Sequence, residues 1–83
     1  MEVNNQIIEI IKDKLMVDEI SSNDNLVVNL HADSLDIIEL VMELEHTFDI
    51  TILDEEVDPN FTNVGHLIDF IQTKVNKRKG QRN

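Results

Sequence analysis

The sequence has no cysteine. That removes disulfides, thiolate metal ligands and a cysteine nucleophile together, and it fits a cytoplasmic protein. Glycine and proline are scarce, two and one in 83 residues, which argues against a turn-rich all-β fold and for helices. No apolar run approaches the ~20 residues of a membrane span. The opening Met1-Glu2-Val3-Asn4-Asn5 lacks the basic and apolar regions of a signal peptide. A cytoplasmic protein without stable membrane insertion is therefore expected. Basic residues are nearly missing from residues 1–73, where Lys12 and Lys14 stand against 17 acids for a net of −15. A body this negative repels nucleic acid and anionic lipid. Its acidity serves either simple solubility or basic protein partners.

What is present is enough for one small domain. Hydrophobic residues make up 41%, ordinary for a globular chain, so a modest core is expected rather than disorder. Val3, Ile7, Ile10, Ile11 and Leu15 recur at helical spacing and predict a first helix of about four turns to Met16. Ser21-Ser22-Asn23-Asp24-Asn25 is a turn cluster inside a long loop to Asp33. Leu26, Val27, Val28 and Leu30 suit a loop pinned to the core. Asp33 is a good N-cap, with Asp36 three residues on as an acidic capping-box variant, for a helix to about Phe48. Asp54 to Asp58 reads as a short helix stopped by Pro59 and Asn60. Asn63 caps a last helix with the apolar face Val64, Leu67, Ile68, Ile71 and Val75. The expected fold is all-α: a four-helix bundle, three longer helices plus one short, with a long loop between the first two. The domain spans 1–75, and 76–83 form a basic tail expected to fray, since Lys74, Lys77, Arg78, Lys79 and Arg82 crowd the last ten residues.

The second helix is apolar on two sides. At ~100° per residue from Leu35, the residues Ile37, Leu40, Val41, Leu44 and Phe48 form one tight face, which must be core. Leu35, Ile38 and Met42 form a second stripe nearly opposite, edged by Asp36, Glu39, Glu43 and His46 and, on the other side, Glu45. Either the long loop folds over that stripe, or it is a docking surface ringed by acids.

The helix opens in the stretch His31-Ala32-Asp33-Ser34-Leu35-Asp36-Ile37-Ile38-Glu39-Leu40. Ser34 is its first residue, near the backbone N–H groups and positive dipole end that favour a phosphate. The plain alternative is a serine serving only the helix start. As a hydrolytic nucleophile Ser34 fails: the G-x-S-x-G elbow and the strand before it are absent. His31, His46 and His66 have no metal-ligand spacing, and Asp54 to Asp58 lacks the glycine of a calcium loop. No catalytic or metal residue is expected.

Asp33-Ser34-Leu35 followed by Asp36, Glu39-Leu40-Val41-Met42 and Leu44-Glu45 resembles an acyl carrier protein, over roughly Ile7 to Ile71. The resemblance implies a non-enzymatic carrier of acyl chains in dissociated fatty acid synthesis. It implies 4′-phosphopantetheine, derived from coenzyme A, on Ser34, with the cargo as a thioester on the arm's thiol. It also implies docking through Asp33, Leu35, Asp36, Ile38, Glu39, Met42 and Glu45, with Ile52 and Glu55 near the short helix. The implied partners are a phosphopantetheinyl transferase, fatty acid synthesis enzymes and acyltransferases with basic patches, visited by a monomer. Two other readings stay open: a carrier of aminoacyl or polyketide cargo, and an unmodified acidic helical adaptor. The chain departs from the family at several positions. His31 stands where glycine is usual and where a positive φ is expected; Leu53 replaces a proline and Leu26 a phenylalanine. His46 takes an acidic place, Asp58 to Thr62 is about one residue longer, and the basic tail is not a strong family feature.

Overall fold

The structure, a computed structural model, describes residues 2–81. Three α-helices, α1 (Val3–Leu15), α2 (Ser34–Phe48) and α3 (Val64–Gln81), build an all-helical fold with no strand among the described residues. Ile7 and Ile11 of α1, Leu40 and Leu44 of α2, and Val64, Leu67, Ile71 and Val75 of α3 meet in one buried core. Each set follows the three-and-four spacing that keeps apolar side chains on one stripe. No helix among the described residues is long and apolar enough to cross a membrane.

Local chemistry ends the helices. Both α1 and α2 stop on a residue in the left-handed conformation, Met16 (φ 57°) and Asp49 (φ 54°), whose N–H donates back to the Lys12 and Glu45 carbonyls. Lys12 and Lys14 in the last turn of α1 suit its negative dipole end. Asn63 caps α3, its Oδ1 accepting the His66 N–H at 2.8 Å. The α3 backbone is helical from Asn76 to Gln81, and residues 82–83 of the expected basic tail lie outside the described residues.

The segment 16–33 is tied to the start of α3. The Leu26 N–H donates to the Thr62 carbonyl at 2.7 Å, and the N–H groups of Val64 and Gly65 donate to the carbonyls of Asp24 and Ser22 at 2.9 Å each. Gly65 permits that approach, since a Cβ there would stand 3.0 Å from the Ser22 carbonyl oxygen. Leu26 is fully buried and Leu30 partly so. Val27 and Val28 are not pinned to the core, contrary to the sequence reading; they are exposed. The cause is Asn25, whose Oδ1 accepts both their N–H groups and folds a tight turn with the two valines outward.

The expected short helix from Asp54 to Asp58 is a further correction. One 3-10 turn, Asp54–Glu56, occupies this stretch, and a second, Pro59–Thr62, follows it. Pro59 does not simply stop a helix. The residue before a proline avoids the helical region, and proline itself suits a first helical position. Asp58 therefore breaks the run, its Oδ1 accepting the Phe61 N–H at 3.2 Å, and Pro59 opens a second turn. That turn delivers Phe61 into the core, where its ring meets Phe70 edge-on at 5.7 Å.

Candidate functional site

Ser34 occupies the first position of α2 and is exposed. The turn before it explains its placement. The Ala32 N–H donates to the Leu26 carbonyl at 2.8 Å and buries Ala32, so Asp33 arrives at the helix start with an extended backbone. The Asp36 N–H donates to Asp33 Oδ1 at 2.8 Å, while the Asp33 N–H donates to Asp36 Oδ2 at 3.1 Å. This is the reciprocal box that the sequence predicts. The Ile37 N–H is taken by the Asp33 carbonyl at 3.1 Å. Helix geometry leaves the N–H groups of Ser34 and Leu35 without intrahelical acceptors, beside the serine hydroxyl. An anion carried on Ser34 Oγ would meet them there.

His31 lies three residues upstream at φ 63°, the positive value expected of a glycine-preferring position. An L-residue in the left-handed region costs about 1–2 kcal/mol. Glycine would relieve that cost but loosen the unfolded chain by about 0.4–1 kcal/mol. His31→Gly should therefore raise stability by about 0.5–1 kcal/mol, a rise of a few degrees in Tm for a domain this small. Thermal unfolding followed by circular dichroism checks it, and a lower Tm would refute strain at this turn.

Downstream of Ser34, the second stripe of α2 is open. Leu35, Ile38 and Met42 are 60%, 56% and 61% exposed, so the long connection does not fold over them. Asp33 and Glu39 are exposed and Asp36 half-buried beside this stripe. Glu45 is half-buried, and its Oε2 accepts the Ile52 N–H at 2.8 Å. Glu55 is exposed, but Ile52 is not: it is only 7% exposed and belongs to the core. Its side chain is therefore not the surface contact that the sequence comparison implies. Glu45 holds the backbone in place, and the Ile52 side chain packs into the core with only an edge left toward the groove beside α2.

A groove of about 270 Å³ opens between α2 and the segment after it. Ile38, Val41 and Met42 form one wall; Ile52 and Val57 form the other. Leu53 and Val57, both partly exposed, extend the apolar surface, and sequence periodicity gave no sign of either. Sequence reasoning also missed Glu56 and Lys74. Glu56 Oε1 accepts from Lys74 Nζ and from the Leu53 N–H at 2.8 Å each. The Lys74 hydrogen bond first, and the Leu53 N–H second, hold the Glu56 carboxyl below the usual glutamate range. No local pattern announces this pair, because its members lie 18 residues apart.

Comparison with known proteins identifies the family and the fold. A family model described as a phosphopantetheine attachment site matches residues 5–71. The chain is 37% identical over 76 residues to an acyl carrier protein of Amoebophilus asiaticus, covering 89% of this chain and 94% of the relative. It is 42% identical over 71 residues to an acyl carrier protein of Clostridium perfringens, covering 83% and 92%. In fold it resembles the solution structure of a holo acyl carrier protein from Geobacter metallireducens, with a TM-score of 0.81 at 21% identity over 100% of this chain and 97% of that one.

Proposed function

The chain belongs to the phosphopantetheine attachment-site family of acyl carrier proteins, and from that membership we propose that it carries the growing acyl chain of fatty acid synthesis on Ser34. Acyl carrier proteins are not enzymes; they hold cargo for enzymes that act on it. The prosthetic group is a covalently attached 4′-phosphopantetheine, which supplies a thiol for the thioester. One observation carries the assignment to Ser34: its exposed hydroxyl stands at the first position of α2, directly beside an uncovered apolar stripe with acidic edges. The residues fit the group. Ser34 offers the anchoring oxygen, the helix start favours the phosphate's charge, and the carboxylates of Asp33 and Asp36 are engaged by backbone N–H groups. The groove along Ile38, Val41 and Met42 offers shelter for an acyl chain. Each methylene buried there gains ~0.8 kcal/mol. The direct test is the intact mass after incubation with a phosphopantetheinyl transferase and coenzyme A. A gain of one phosphopantetheine is expected, and an unchanged mass would overturn the reading.

Docking follows from the same helix. Leu35, Ile38 and Met42 supply apolar contact, while Asp33, Asp36, Glu39, Glu45 and Glu55 set orientation against basic patches on the transferase, the synthesis enzymes and acyltransferases. Glu39→Lys should weaken binding to such an enzyme on the order of tenfold, mostly through slower association. Added salt should weaken the unmutated chain in the same direction. Surface plasmon resonance against one basic partner reads both, and salt-insensitive binding that survives the substitution would sink acidic docking.

A further inference from the structure

Beyond the buried Ile52, the wall of the groove is held by polar ties rather than by burial. The Asp54–Glu56 turn has no buried residue of its own. At its upstream end, the Ile52 N–H donates to Glu45 of α2 at 2.8 Å. At its downstream end, Glu56 Oε1 receives both the Leu53 N–H and the Lys74 ammonium of α3. Lys74 is itself steadied from below. Its ammonium stands 5.4 Å from the centroid of the Phe70 ring, and Phe70 rests edge-on against the buried Phe61. The wall is thus anchored at Ile52, where the side chain is in the core, and fastened at Glu56, where an ion pair joins it to α3. Both members of that pair are partly exposed, so the fastening is weak enough to open without unfolding the bundle.

We propose that Glu56 and Lys74 form a clasp whose opening admits the tethered chain to the groove, which makes Lys74 a positioning residue that limits how long a chain the carrier shelters. The inference rests on the carrier reading, since it is the cargo that the groove receives. With the clasp shut, the segment from Leu53 to Val57 stays against α2. With it open, the wall swings about Ile52, and a longer chain enters between Met42 and Val57.

Two measurements on the full chain test this. Lys74→Met keeps an apolar stem over Phe70 and removes the cation. In the unloaded protein it should speed amide hydrogen exchange at Leu53 and Glu56 by about threefold, the scale of a partly exposed ion pair. Leu67 in the core should not change, and Lys74→Arg should restore the slow rates. Unchanged exchange at Leu53 would overturn the clasp. In the second measurement Ser34 is loaded with acetyl- or dodecanoyl-phosphopantetheine and the thioester is cleaved with hydroxylamine. An easier opening favours the sheltered state, so Lys74→Met should slow dodecanoyl cleavage relative to acetyl by about threefold. An identical ratio in both proteins would overturn the role in chain access. A chain that the transferase leaves unloaded refutes the carrier reading instead, and the exchange measurement then decides the clasp alone.

Discussion

Ser34→Ala should take up no phosphopantetheine from coenzyme A under conditions that load the unmutated chain completely. The expected effect is total, because the substitution removes the oxygen proposed to form the phosphodiester. It leaves the frame around that oxygen in place. Asp33 still caps α2, and Asp36 still answers it, since neither bond involves the serine side chain. Alanine also favours a helix, and Ser34 is exposed, so no cavity forms. The variant should therefore fold with an unchanged circular dichroism spectrum and keep docking through Leu35, Ile38 and Met42. Separating attachment from docking in this way distinguishes the competing readings. Mass spectrometry that still finds one phosphopantetheine on Ser34→Ala moves the site elsewhere. Full biological function without any attachment favours an unmodified adaptor.

Phe61→Ala should cause the largest loss of stability. Phe61 is 1% exposed, and removal of a buried phenylalanine costs about 3–5 kcal/mol. Against the ~0.05–0.15 kcal/mol per residue typical of small domains, that is a large share of the total. The midpoint of thermal unfolding should fall on the order of 20 °C. The damage should also spread, since Phe61 backs Phe70, over which Lys74 is held. Val28→Ala makes the contrast: Val28 is 71% exposed, and its Tm should barely move. A fall of only a few degrees in Phe61→Ala would mean that the second 3-10 turn is not anchored by this ring.

The difference between Phe61 and Ser34 shows where the sequence was informative. Ser34, Asp33 and Asp36 lie within three positions of each other, so the helix start and its capping box were legible directly. The two faces of α2 were equally legible, because helical periodicity fixes them whatever the neighbours do. Leu40 and Leu44 are buried as that arithmetic requires, and Leu35, Ile38 and Met42 are open. The departure at His31 also pointed correctly to a positive φ. After Phe48 the signals weaken. Turns of three and four residues have no period to read, so the two 3-10 turns and the inward Phe61 were not visible. For Ile52 the resemblance implies a surface contact, and only the fold shows that the side chain is buried. Glu56 carries no signal in an acidic chain, and its role depends on where Lys74 arrives; Glu45 has a docking place in the resemblance, but its hold on the Ile52 N–H depends on where that segment arrives.

The box between Asp33 and Asp36 has a mechanical consequence. Each carboxylate beside the serine is engaged with the other's backbone N–H. A partner's lysine that draws Asp36 outward takes away the acceptor of the Asp33 N–H, and one that draws Asp33 outward frees the Asp36 N–H. Either pull uncaps α2 at its first turn, at a cost of about 1 kcal/mol. Grip on these acids and slack at Ser34 are thus a single equilibrium. On the proposed carrier reading, an enzyme that held them hard would loosen the anchor point of the arm. One that gripped only Glu39, farther along the helix, would leave the anchor taut.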